Sequence, residues 1–137
     1  MKHKKRLSLN DAALAIAKAF NGTTGIRRTY GGGDDSNRMH IAWQIVQSGK
    51  IVGMIDLYCE DGHGKDGMDW GSKVDISAPG VFYSYCIFNQ CTKLTGRTAK
   101  RYARGVFINS VERIITLATM KYSATSNKPY TAQRTML

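Results

Sequence analysis

Four cations crowd the start of one helical stretch: Arg97, Lys100, Arg101 and Arg104, ahead of an apolar repeat that runs toward Tyr122. At about 100° per residue they fall within roughly a third of the helix circumference, which makes a basic fork. A helix N-terminus already carries about half a positive charge and N–H groups that point outward. Cations added there suit an external anion, and phosphate is the natural one. The alternative is a solvated basic face with Thr95 or Thr98 capping the helix.

Three other sets of residues have chemistry in them. Arg27, Arg28 and Tyr30 form a cation and stacking cluster suited to nucleic acid, or else belong to a plain flexible loop. The glycines from Gly31 to Gly33 resemble a phosphate cradle only superficially, since no Gly-Lys-Ser or Gly-Lys-Thr follows. Lys4, Lys5 and Arg6 form a basic arm that orders on a polyanion or simply solubilises the terminus. Asp56, Asp61, His63, Asp66 and Asp69, with Glu60, are oxygen and imidazole donors for a hard divalent cation that would activate water for a nuclease. Their spacing fits no EF-hand, so a soluble loop between strands is the simpler expectation. No residue is assigned as catalytic, no cofactor is expected, and His40 is expected to be structural.

These residues must be held by a scaffold. From Ala99, the recurrence of Ala103, Phe107, Val111, Ile114 and Ala118 predicts the longest helix, with Asn109, Glu112, Thr116 and Thr119 on its wet side. Lys100 and Arg104 share an azimuth with Val111 and Ala118, so the first turns are expected to overhang the core and hold their cations in the open. Ser8 and Asp11 form a capping box for an earlier helix with the stripe Leu9, Ala13, Ile16 and Phe20, stopped by Asn21 and Gly22. Met39 to Gln47 alternates and turns at Ser48 and Gly49 into Lys50 to Glu60, where Ile51, Gly53, Ile55, Leu57 and Cys59 share a face. Val74 to Ser77 is a short strand. Val81 to Phe88 is a strong one, whose Phe82, Tyr83, Tyr85 and Phe88 fill the core or stack bases. Thr23 to Asn37 and Glu60 to Gly71 are expected to be loops, and Cys91 to Leu94 a further short strand.

The 137 residues suffice for one domain, and 42% hydrophobic content argues that it folds. The net charge of +10 is unevenly spread. Residues 1–30 hold seven basic and one acidic residue, residues 31–90 four and eight, and residues 91–137 nine and one. Cationic ends favour a polyanionic partner, and an acidic middle permits contact with a basic end within one chain or between neighbours. The three cysteines, Cys59, Cys86 and Cys91, sit in no metal-ligand spacing and are expected to be buried free thiols of a reducing compartment. Neither a membrane span nor a continuous apolar signal core is seen, so cytoplasmic residence is the expectation.

The segment Gly96 to Arg104, with adjacent Lys100 and Arg101 followed by Ala103 and Arg104, resembles the basic signature that opens the last helix of the double-stranded RNA-binding domain. The order helix, antiparallel strands, helix resembles that family too. The resemblance implies that Lys100, Arg101 and Arg104 meet phosphates across a major groove. It covers about ten residues, and the family's Pro-X-His loop has no counterpart in the Ser48-Gly49 turn, so no residue is given a minor-groove role.

The expected protein is therefore α+β: an antiparallel sheet of four to five strands with an N-terminal and a long C-terminal helix packed mainly on one face. Residues 1–7 are the arm, 8–122 the domain and 123–137 a polar tail. The expected function is non-catalytic binding of an RNA or DNA backbone by Arg97, Lys100, Arg101 and Arg104, assisted by the arm, Arg27 and Arg28. Two other classes stay open: a protein-interaction module such as an assembly subunit, homo-oligomer or inhibitor of a nucleic-acid-handling complex, and a metal-dependent nuclease built on the acidic loop.

Overall fold

The computed structural model describes residues 7–31, 38–60, 70–89 and 96–126. Its elements run α1 (Leu9–Ala19), β1 (Thr23–Gly31), β2 (Met39–Gln47), β3 (Lys50–Cys59), β4 (Trp70–Ala78), β5 (Val81–Asn89), α2 (Gly96–Asn109) and α3 (Val111–Ser126). The strands form one antiparallel sheet in the order β1-β2-β3-β4-β5, and the three helices pack on one face of it.

Local chemistry sets the boundaries. Ser8 Oγ accepts from the Asp11 amide at 3.1 Å while the Ser8 amide donates to Asp11 Oδ2 at 3.3 Å, so two orphan donors of α1 are satisfied reciprocally. The helix ends where Asn21 takes a left-handed φ of 64°, and the Gly22 amide returns to the Ala17 carbonyl at 2.8 Å. Ser48 and Gly49 both have positive φ, 49° and 78°, the pattern of a type I′ hairpin turn. Pro79 followed by Gly80 with φ 84° turns β4 into β5.

Alternation decides the faces. Met39, Ile41, Trp43 and Ile45 of β2, Ile55, Leu57 and Cys59 of β3, and Val74 and Ile76 of β4 point toward the helices and are buried. They meet Ala13 and Ile16 of α1, Ala99, Ala103 and Phe107 of α2, and Ile114 and Ala118 of α3. Trp43 and Phe107, stacked with centroids 5.7 Å apart, are the largest members of this layer. Ile51 leaves the face it was expected to share. Val46 opposes Ile51 while Ile45 opposes Gly53, so Val52 is an extra residue, and the bulge turns Ile51 outward to 59% exposure. Gly53 itself sits so near β4 that a Cβ would lie 2.1 Å from the Ser77 carbonyl oxygen.

Other expectations also need correction. The segment expected to be a loop from Thr23 holds a strand to Gly31, and β4 begins at Trp70 rather than Val74. The single long C-terminal helix is two helices divided at Ser110. The turn-to-turn hydrogen bonding persists across the division, from the Ser110 amide to Val106 O and from the Ile114 amide to Ser110 O. That continuity explains why the apolar repeat runs through it. α3 extends to Ser126, past Tyr122. The expected strand at Cys91 to Leu94 lies outside the described residues, as does the tail from residue 127.

Candidate functional site

Five cations line one open cavity of about 630 Å³ where the edge strand β1 meets the helices: Arg27 of β1, Arg38 just ahead of β2, and Arg97, Lys100 and Arg104 of α2. Leu9, Met39 and Ile41 give it apolar wall, and Thr29 and Tyr30 complete it. Among the described residues that line it, none is acidic.

The α2 cations are placed by helical phase. Ala99, Ala103 and Phe107 are buried, and at about 100° per residue Lys100, Arg104, Arg97 and Arg101 follow at increasing angles from that stripe. Lys100 and Arg104 are accordingly half-buried, and Arg97 and Arg101 exposed. The first two do not overhang the core in the open as expected, but stand in the cavity wall. Arg104 Nη1 lies 3.4 Å from Met39 Sδ, which fastens the guanidinium over β2. Both cations approach the thiol of Cys59. Burial pushes that thiol from 9.0 up to about 11, Lys100 and Arg104 draw it down, and Glu60 raises it.

Arg27 is placed by Asn10 and Trp43. Its Nη1 donates to Asn10 Oδ1 at 3.0 Å, and Trp43 Nε1 donates to the same oxygen at 2.9 Å. Its guanidinium carbon lies 5.6 Å from the centroid of the Trp43 ring, a cation–π distance. One amide side chain on the first turn of α1 thus ties β1 to β2. Arg38 Nε is 3.6 Å from Glu60 Oε2, with both side chains well exposed, so solvent weakens the pair.

Of the residues singled out in the sequence, Arg27, Tyr30, Arg97, Lys100 and Arg104 come together here. Arg101 is exposed off the cavity, and Arg28 pairs with Ala42 on the opposite side of the sheet. Lys4, Lys5 and Arg6 lie outside the described residues. Arg38 and Asn10 were missed. Arg38 follows a glycine- and aspartate-rich run and belongs to no periodic pattern. Asn10 looks like an ordinary polar helix residue, and nothing in its spacing betrays contact with residues 17 and 33 positions away.

The helix-free face of the sheet has a different character. Tyr30, His40 and Tyr58 are cross-strand partners whose rings stack in a row, with centroids 5.0 and 4.2 Å apart, and Lys73 Nζ caps it 5.5 Å from the Tyr58 centroid. Alongside runs a second row in which Asp56 and Asp75 face each other across β3 and β4. His40 Nε2 is 2.7 Å from Asp56 Oδ1, Lys73 Nζ is 3.2 Å from Asp75 Oδ2, and Ser84 Oγ donates to Asp75 Oδ1. Burial first, then the two carboxylates, raise the Tyr58 phenol above its ordinary value.

Asp56 and Glu60, the described members of the acidic set, stand beside His40 and Arg38 respectively, and among the described residues no group of three His, Cys, Asp or Glu is placed to hold a metal. Asp61, His63, Asp66 and Asp69 lie outside the described residues. Within the aromatic strand β5, Tyr83, Tyr85 and Phe88 pack against the core, and Phe82 is exposed; Cys86, expected to be buried like Cys59, alternates to the same outer side as Phe82 and is exposed as well. No helix among the described residues is long and apolar enough to cross a membrane. Comparison of the chain with protein-family models, with curated proteins and with solved structures finds no match.

Proposed function

We propose that the protein binds the sugar–phosphate backbone of a nucleic acid without cleaving it, using the cation-lined cavity as its phosphate site. One observation carries this: Arg27, Arg38, Arg97, Lys100 and Arg104, drawn from three separate segments, line a single opening with no carboxylate among its described lining residues. Gathering like charge costs Coulomb energy that a polyanion offsets. The apolar wall of Leu9, Met39 and Ile41 strengthens each charge–phosphate contact by excluding water from one side. Arg101, exposed off the cavity, extends the positive surface beyond it, and the sequence adds the cations Lys4, Lys5 and Arg6, which together fit a polymer better than a lone small anion. Cytoplasmic residence goes with this function and with the free thiols of Cys59 and Cys86.

The deciding experiment is affinity against salt. Binding to a nucleic acid should weaken along a straight log–log line. Replacing both Arg97 and Lys100 by Gln should flatten its slope by about 0.9 for each duplex phosphate the protein no longer neutralises, or about 0.7 on a single strand. An affinity indifferent to salt, or a slope unchanged in the double variant, rules the phosphate site out.

A further inference from the structure

We infer that the cavity is one half of a nucleotide site whose other half is the ring of Tyr30, so that the preferred ligand is a single strand with an unpaired base. This rests on the phosphate function proposed above and narrows its substrate.

The inference comes from the geometry of the row Tyr30, His40, Tyr58, Lys73. Its ring spacings of 5.0 and 4.2 Å match the separation of neighbouring strands, about 4.8 Å, and the rings are nearly parallel, at 27° and 17°. The rings therefore stand on the sheet face to face, with their normals running across the strands. Such a row presents a π-face only at its ends. At the Tyr58 end that position is taken by Lys73 Nζ. The other end is Tyr30, on the edge strand, with half of its surface exposed.

A planar base laid on Tyr30 would add one more step to the row, just beyond the sheet edge. Tyr30 also lines the cation cavity, together with its neighbour Thr29, which projects to the other face of the strand. The two halves therefore meet at β1, so a nucleotide stacked on Tyr30 has its own phosphates within reach of Arg27 and Arg38. His40, held at Nε2 by Asp56 and flanked by both tyrosines, fixes the row behind the outermost ring. In a duplex, neighbouring base pairs cover the faces of every internal base, so a continuous helix offers Tyr30 nothing to stack on. A single strand does. Stacking of one base on an aromatic ring strengthens binding by about 5- to 150-fold, with little regard to base identity.

The test uses the whole chain and three probes of equal length: an oligothymidine strand, the same strand made abasic, and a duplex. Equilibrium binding should favour oligothymidine over the abasic strand by at least about fivefold. Tyr30→Ala should abolish the preference for oligothymidine over the abasic strand while leaving every salt slope unchanged, and Tyr30→Trp should keep the preference. Equal affinity for the thymidine and abasic strands, a uniform loss on all probes in Tyr30→Ala, or a duplex that outcompetes the single strand would overturn the stacking site. Salt-dependent binding of the abasic strand alongside any of those results leaves the phosphate site standing. Absence of such binding on every probe removes the phosphate site and the stacking site together.

Discussion

The two faces of the sheet treat charge in opposite ways. On the helix-free face, each carboxylate has a partner at hydrogen-bonding distance: His40 with Asp56, Lys73 with Asp75, and Ser84 donating to Asp75. Around the β1 edge on the helix side, five positive side chains share one cavity, and Glu60 reaches one of them, Arg38, at 3.6 Å in an exposed pair. Two carboxylates set opposite each other on adjacent strands would repel, and their partners turn that repulsion into a network. The cavity gathers its charge from α2, β1 and the residue ahead of β2. A network of opposite partners offsets its own repulsion within the fold, whereas a like-signed cluster brought together from distant segments carries a Coulomb cost that an anionic ligand would offset.

The contrast depends first on the wall between the two faces. Phe107→Ala should remove about 3–5 kcal/mol of stability in denaturant titration, because its ring is fully buried against Trp43 and carries the base of α2. A loss below about 1 kcal/mol would mean that α2 is not anchored there. Binding then separates the faces. Arg97→Gln combined with Lys100→Gln should weaken nucleic-acid affinity by about tenfold at physiological salt, while Lys73→Gln on the other face leaves it unchanged. Equal losses in both variants would erase the distinction.

Stability separates them in the reverse sense. His40→Ala should cost about 1 kcal/mol, since it strips a charge-assisted partner from Asp56, whose side chain retains 16% exposure. Arg97→Gln, at an exposed position, should cost less than about 0.5 kcal/mol. The smallest effect is a pH dependence. The folded protein holds the Cys59 proton until about pH 11, against 9.0 for an ordinary thiol, so between those values the native state binds more protons than the unfolded chain. Stability from this group is therefore fully present below pH 9 and declines as pH rises toward 11. Cys59→Ala should shallow that decline in thermal melts taken across the window, and an unchanged slope would show that other groups cause it.

How much of this was legible depended on whether a residue's neighbours in sequence were also its neighbours in space. The β2–β3 hairpin could be read directly, because alternation and the Ser48-Gly49 turn are local signals. β1 could not. From Gly25 to Tyr30 every residue is exposed, so an edge strand with no buried side leaves no alternation to detect. The division at Ser110 was hidden for the opposite reason, since Val106, Ser110 and Ile114 keep helical hydrogen bonding across it. At the site, the α2 cations were visible as a cluster on one helix. Their meeting with Arg27, Arg38 and Tyr30 was not, because it depends on one cavity drawing together side chains of α2, of β1 and of the residue ahead of β2 across a long intervening stretch of chain.

The register of β1 against β2 slips between Thr24 and Arg27, and the Ile26 amide is satisfied by the Gln44 side chain at 3.1 Å instead of by a strand carbonyl. An outermost strand offers its backbone to any passing segment, and long flat ones invite sheet growth into fibrils. The kink spoils the flatness, and the arginines at 27 and 28 charge the rim of the same strand. Those two charges act as gatekeepers against self-association. Neutralising them for solubility or crystallisation would leave that rim prone to aggregate.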